Sequence, residues 1–352
     1  MKIGIHSPYL DSLSGGERYM LTMAEYLSKN HSVDIFWDNK TLKKKIFERL
    51  SLDISKTRFI DNIFSSKKNL LKKLILTRKY DLIIFLSDGS IPLSLAKKNI
   101  LHFQQPFVNI NGKSLMNKLR LRRFQTIICN SKFTKQYIDK VYEVNSQVVY
   151  PPVDIEKFSS GKKKNLIFSV GRFTTHLFNK KQKEMIQIFQ KALPQFKEWK
   201  LILAGGFLDQ DKEHFKEVRK SIIKKKSIQL LTNISFEKIK KHYLEAKIYW
   251  HAMGFNEDKQ KTPMAMEHFG MTTVEAMAAG CVPIVFDGGG QKEIIKHGEN
   301  GFLWKNEKEL IDYTLKIVND NSLREKMSRE AIKRSRDFSK EKFCQKIDRL
   351  IS

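Results

Sequence analysis

Met266-Glu267-His268-Phe269-Gly270-Met271-Thr272-Thr273-Val274-Glu275-Ala276-Met277-Ala278-Ala279-Gly280 is the stretch on which the reading of this chain turns. Its first half is a glycine-bearing loop that carries one carboxylate, Glu267. Its second half has the pattern of a helix start. Thr272 followed by Glu275 is the S/T-x-x-E capping box, and Gly280 suits the residue just past a last turn. Apolar segments flank the stretch, Ile248-Tyr249-Trp250-His251 before it and Cys281-Val282-Pro283-Ile284-Val285-Phe286 after it. Strand, helix and strand in that order predict a crossover unit of a parallel sheet. Free N–H groups at the helix entry offer a site for phosphate oxygens, and nearby carboxylates can accept hydrogen bonds from sugar hydroxyls. Phosphate and sugar together suggest a nucleotide-sugar.

The same grammar runs outward in both directions. Upstream, strands are expected at 2–7, 32–37, 81–86, 99–103 and 126–129, with helices at 15–30 and 113–124 and a helix entry at 130–134. Pro151-Pro152, then Ser159-Ser160-Gly161 and three lysines, reads as a linker. Beyond it, strands are expected at 165–170, 200–204, 248–251 and 281–286, and helices at 310–318, 323–336 and 339–351. The expectation is an α/β protein with an N-terminal domain over 1–155, a second over 156–337 and a last helix over 338–352.

A chain of 352 residues, 41% of them hydrophobic, suits two α/β domains better than one. Met1-Lys2-Ile3-Gly4-Ile5-His6 starts a strand at once with no signal peptide ahead of it, and no apolar run is long enough for a bilayer span. Cys129, Cys281 and Cys344 are scattered and odd in number, which fits neither a disulfide framework nor a zinc site. A reduced cytoplasmic protein is expected. The formal charge is +27, with clusters at Lys43-Lys44-Lys45, Lys67-Lys68, Lys72-Lys73, Lys162-Lys163-Lys164 and Lys224-Lys225-Lys226. The segment from Lys113 to Phe124 interleaves cations with apolar residues and is expected to lie on an anionic membrane surface, at the cytoplasmic face. The bland alternative is solvated helix faces. Nucleic-acid binding is the rival that the charge invites, but no RNP, zinc or helix-turn-helix signature supports it.

The stretch from Glu267 to Glu275 resembles the E-x7-E motif of family 4 of the retaining glycosyltransferases, which have the GT-B fold. Cys281 to Phe286, Gly288-Gly289-Gly290, Glu293-Ile294-Ile295 and Gly298 to Trp304 look like that family's continuation. Val170-Gly171-Arg172-Phe173, Leu203-Ala204-Gly205-Gly206 and Ser14-Gly15-Gly16-Glu17-Arg18 match its other landmarks, so the likeness spans most of the chain. The resemblance implies two Rossmann-like domains whose parallel sheets face each other across a cleft. The donor would sit on the second domain, the acceptor would enter from the first, and the last helix would pack back on the first.

It also implies roles. Arg172 and Lys180 would hold the nucleoside diphosphate, with Lys181 as a competitor where the family often has glycine. Glu267 would face the transferred sugar, and Glu275 would bind ribose, a role in tension with a capping box. Phe269, Gly270, Met271, Thr272 and Thr273 would line the phosphates and sugar, Gly205 and Gly206 the base pocket, and Gly15 and Gly16 a close backbone approach. His102 would lie near the sugar, with His251 and Phe255 at the border. Asp209-Gln210-Asp211 lacks the apolar strand that would aim it at a metal, so neither metal nor cofactor is expected. The resemblance leans towards mannosyltransferases using GDP-mannose, with a UDP-sugar as alternative donor and a glycan or lipid-linked glycan as acceptor. A nucleotide-sugar epimerase or phosphorylase of the same fold is the rival chemistry.

Overall fold

The computed structural model describes residues 1–65, 70–158, 161–175 and 178–352. Lys67-Lys68 and Ser159-Ser160, read above as a basic cluster and a linker, lie outside the described residues. Two compact units emerge: Met1–Pro152 with Glu341–Ser352, and Val153–Lys340.

The first unit holds a seven-stranded sheet built from β1 (Lys2–His6), β2 (Ser32–Phe36), β3 (Arg58–Ile60), β4 (Leu82–Leu86), β5 (Lys98–Phe103), β6 (Thr126–Cys129) and β7 (Gln147–Val148). Its order is β3-β2-β1-β4-β5-β6-β7, and every pairing is parallel. The reason is visible in β4, Leu-Ile-Ile-Phe-Leu, which is buried throughout, as a strand covered on both faces must be. Alternation divides its residues between two layers. Leu82 and Ile84 join Ile3, Ile5, Met20 and Met23 on one face, where Phe343, Ile347 and Ile351 of the last helix also pack. Ile83 and Phe85 join Leu101, Phe103, Leu121 and Phe124 on the other.

The second unit holds β8 (Lys164–Val170), β9 (Lys200–Gly205), β10 (Ile228–Thr232), β11 (Ala246–His251), β12 (Val282–Phe286) and β13 (Phe302–Trp304). These form a six-stranded parallel sheet in the order β10-β9-β8-β11-β12-β13. The order in which successive strands are added reverses between β8 and β11. Ligands of open α/β sheets collect at such a switch point, beyond the carboxyl ends of the strands. The α/β expectation therefore holds, and four strands are added to it. β3, β7, β10 and β13 were not expected, and each lies at a sheet edge.

The basic helix is shorter than expected, Leu115–Leu121, and its cations are not all turned to solvent. Arg120 donates to the Ile91 carbonyl, and Arg123 to the carbonyls of Ser94 and Ala96. Lys113 and Lys118 both pair with Glu143 at 2.9 Å. The 162–164 cluster is also mixed, because Lys163 is turned inward onto three carbonyls described below. Among the described residues, no helix is long and apolar enough to cross a membrane.

Candidate active site

At the switch point of the second unit, Lys180 and His251 converge on Glu267. Its Oε2 accepts from Lys180 Nζ at 2.7 Å and from His251 Nε2 at 2.8 Å. Lys180 Nζ also lies 3.0 Å from the Met253 sulfur. Burial would push the Glu267 carboxyl up, but the Lys180 charge and the His251 hydrogen bond outweigh it and hold the group well below the usual carboxylate range. Burial lowers His251, and the Glu267 hydrogen bond and charge only partly oppose this. Its other ring nitrogen, Nδ1, is buried without a partner among the described residues. Glu267 is therefore ionised at neutral pH and can only accept hydrogen bonds. It is not a proton donor.

Backbone packing fixes that loop. Gly290 N–H donates to the Glu267 carbonyl at 2.7 Å, and a Cβ on Gly289, whose φ is +59°, would sit 2.0 Å from the same oxygen. No other residue fits beneath Glu267. Gly205 serves the Arg172 loop in the same way: its Cβ would stand 1.9 Å from the Gly171 carbonyl. Gly171 N–H donates to Ala204 and Phe173 N–H to Gly206, so both glycines dock the turn that carries Arg172. Gln182 ties that turn from below, donating to the carbonyls of Gly171 and Arg172. The Arg172 side chain is exposed, while Lys180 lies across Gly171. Lys181 is the residue ahead of helix Gln182–Ala192 and has φ +58°, which explains why glycine suits this position. Its ammonium turns away to Glu257 at 2.6 Å, leaving Lys180 as the lysine on Glu267.

The capping box does not form. The helix runs Met271–Ala278 from Gly270, at φ +114°, so Thr272 already lies inside the first turn. Its hydroxyl accepts from Tyr249 at 2.8 Å, and Glu275 Oε2 accepts from Tyr243 at 3.1 Å. Each local pair is replaced by a longer-range partner, because buried tyrosine hydroxyls need acceptors of their own. Tyr243 and Tyr249 were not anticipated. Their only signal is two tyrosines in an otherwise core-like segment. The Thr273 hydroxyl accepts from Gln291, and Phe269 packs edge-on against Phe338, so the side chains of both are engaged inside the unit. Gly280 does follow the last turn in a left-handed backbone, φ +77°. Lys163 donates to the carbonyls of Ala279, Ala246 and Tyr243, joining the ends of the two helices that bear Glu275 and Tyr243. Asp209–Asp211 forms a single 3-10 turn.

Gly15, Gly16 and His102 belong to the first unit. Gly15 and Gly16 open helix Gly15–Leu27, and a Cβ on Gly16 would meet Gln104 Oε1 at 2.3 Å. His102 ends up fully buried, stacked on Tyr19 at 4.1 Å, with Nδ1 3.3 Å from the Ile128 carbonyl. Burial pulls it down to about 3 against the lesser lift of that hydrogen bond. An unfolded histidine titrates near 6.5, so the unfolded chain binds the extra proton first as pH falls. The stability that His102 contributes by staying neutral is complete above about pH 6.5 and declines below it. Between pH 7 and pH 5, urea unfolding of His102→Phe should lose about 2 kcal/mol less stability than the parent.

The model of the glycosyl transferases group 1 family matches residues 152–334. The chain belongs to that family. A model of glycosyltransferase family 4 matches residues 13–157 of this group 1 chain. Among its relatives is the Dictyostelium discoideum GDP-Man:Man(3)GlcNAc(2)-PP-Dol alpha-1,2-mannosyltransferase, 26% identical over 62% of this chain and 45% of that one. Its Xenopus laevis counterpart is 30% identical over 50% and 38%. Human alpha-1,3/1,6-mannosyltransferase ALG2 is 25% identical over 64% and 58%. The chain thus spans about half the length of the curated relatives it matches. Its fold is that of Anabaena HepE in complex with UDP, at a TM-score of 0.75, 18% identity and coverage of 100% and 99%. A Rickettsia africae glycosyltransferase gives a TM-score of 0.75 at 20% identity, covering 99% and 97%. The GT-B expectation is met.

Proposed function

We propose that this chain transfers a mannosyl group, with retention, from GDP-mannose to a hydroxyl of a lipid-linked glycan at a membrane surface. The observation that carries the reading is the ionised Glu267 held between Lys180 and His251 at the carboxyl ends of β8 and β11. The names of the mannosyltransferase relatives support the sugar and the acceptor class. In this reading Glu267 accepts hydrogen bonds from the sugar hydroxyls. Lys180 shifts its charge towards the β-phosphate as the glycosidic bond breaks, and Arg172 closes on the diphosphate from the exposed side. The acceptor oxygen forms the new bond on the face the phosphate leaves, and its proton passes to the departing phosphate oxygen. No protein proton donor is needed, consistent with a Glu267 that stays ionised. First-turn N–H groups of the helix from Met271 contribute to phosphate binding, and Glu275 holds the ribose by sharing or releasing Tyr243. Two cations in place of a metal ion make the transfer metal-independent.

A panel of nucleotide-sugars and nucleoside diphosphates tests this by thermal shift. GDP-mannose and GDP, at about 100 times their dissociation constants, should each add about 2.7 kcal/mol, with and without EDTA. Stabilisation by UDP-sugars alone moves the donor to the UDP class. Stabilisation only when Mn²⁺ is present overturns the metal-free reading, and none by any nucleotide overturns the transferase.

A further inference from the structure

Helix Leu115–Leu121 turns its apolar residues the wrong way for a globular protein. Leu115 is 76% exposed, Met116 58% and Leu119 48%, whereas Arg120 and Arg123 point back onto the fold. Helix Leu70–Thr77 does the same, with Leu70 55% and Ile75 64% exposed. The two helices are neighbours. Leu76 of one and Leu121 of the other pack on the same face of the first sheet. The 91–96 loop joins them, since Leu95 N–H donates to Thr77 Oγ1 while Arg123 holds the carbonyls of Ser94 and Ala96. Leu95, at the crest of that loop, is itself 40% exposed. Solvent-facing Leu, Met and Ile from three adjacent segments exceed the scattered apolar residues of an ordinary surface.

The surrounding charge is of one sign. From Gly89 to Ile138 the sequence contains no acidic residue, nor does it from Asn62 to Tyr80. Lys72, Arg78, Lys79 and Arg122 are exposed around the apolar side chains. Glu143 is the acid that approaches the patch, and Lys113 and Lys118 engage it.

We infer that this face, formed by the two helices and the 91–96 loop, docks the protein on an anionic bilayer by inserting Leu115, Met116, Leu119, Ile75 and Leu95 below the headgroups. It deepens the membrane reading above and rests on it. A purely electrostatic contact would present the arginines and hide the leucines. Here two of the arginines brace the fold and the leucines face outward, so insertion supplies binding and the surrounding cations select acidic lipid.

The test is sedimentation of the full chain with phosphatidylcholine vesicles, alone or mixed with phosphatidylglycerol. Binding to the mixed vesicles only is expected. Combined Leu115→Ser, Met116→Ser and Leu119→Ser should weaken it at least about a hundredfold, as loss of the exposed area of three inserted side chains implies. Lys44→Gln with Lys45→Gln, on helix Leu42–Leu50 against the other face of the sheet, should leave it unchanged. Met116→Trp leaves the patch apolar, and its emission should shift to the blue on mixed vesicles. Unaltered binding by the serine variant or an unmoved tryptophan overturns the proposal. So does a self-associated state without vesicles that the serine variant abolishes, since a second copy would then cover the face. Binding is read without donor or acceptor. Vesicle binding with no turnover would sink the transferase and leave the docking face standing; turnover on a soluble acceptor without vesicle binding would do the reverse.

Discussion

Glu267→Gln is expected to lower transfer by roughly 10²–10³-fold while donor binding persists, in the range found when one preorganised electrostatic contact is removed. The amide keeps the shape of the side chain and the backbone clamp from Gly290, so the loop stays in place. What changes is charge. Lys180 loses its counter-ion at 2.7 Å, and His251 meets a group that both donates and accepts. The amide cannot accept on both oxygen positions, so hydrogen bonds to the sugar that strengthen in the transition state are lost. The half-buried pair costs about 1–3 kcal/mol of stability when one partner is neutralised. Steady-state transfer assays with binding of GDP measured in parallel decide the matter. Turnover equal to the parent would remove Glu267 from the reaction.

Arg172→Ala and Lys180→Ala separate two cations that the sequence treats as a pair. Arg172 is exposed and its side chain has no hydrogen-bond or ion-pair partner among the described residues, so its loss should lower turnover by about 10²-fold with little change in unfolding free energy. Lys180 is half-buried against Glu267 and Met253. Its removal should lower turnover at least as much and also destabilise the second unit, because Glu267 is left partly buried without a neutralising cation. Lys181→Ala, by contrast, removes the tie to Glu257 and should affect stability more than turnover. Circular dichroism melts beside kinetics for the three variants distinguish the roles. A collapse of thermal stability in Arg172→Ala would make that residue structural.

Much of the fold was legible because parallel strands covered on both faces must be apolar nearly throughout. β4 and β12 are short unbroken apolar runs, β5 and β11 are largely apolar in their middles, and such runs are read without knowing their partners. β3, β7, β10 and β13 were missed for the complementary reason. An edge strand such as Arg58-Phe59-Ile60 has one neighbour and a solvent side, so its pattern is weak and its pairing with β2 supplies the order. Glycine spacing was informative at Gly205, Gly270 and Gly289, because backbone at the first and last, and a left-handed φ with the Gln291 side chain at Gly270, leave no place for a Cβ.

Sequence alone therefore determined two α/β halves, the family motif and the residue types of the candidate site. The tertiary structure decided their partners. Thr272 and Glu275 have the spacing of a capping box, but that spacing only makes the pairing possible. Tyr249 and Tyr243, brought from another strand and helix, compete for the same oxygens and take them. The choice between Lys180 and Lys181 was likewise undecided by adjacency. The left-handed backbone at Lys181 sends consecutive side chains to different acids, Glu267 and Glu257. His251 became the hub beside Glu267, although a histidine ending a strand is locally unremarkable. The amphipathic basic helix was legible as such, but which side faced outward was not. Carbonyls of a loop distant in sequence hold the guanidinium groups of Arg120 and Arg123, and the leucines are left to solvent. Local pattern limits what a residue can do, and long-range geometry selects among those options.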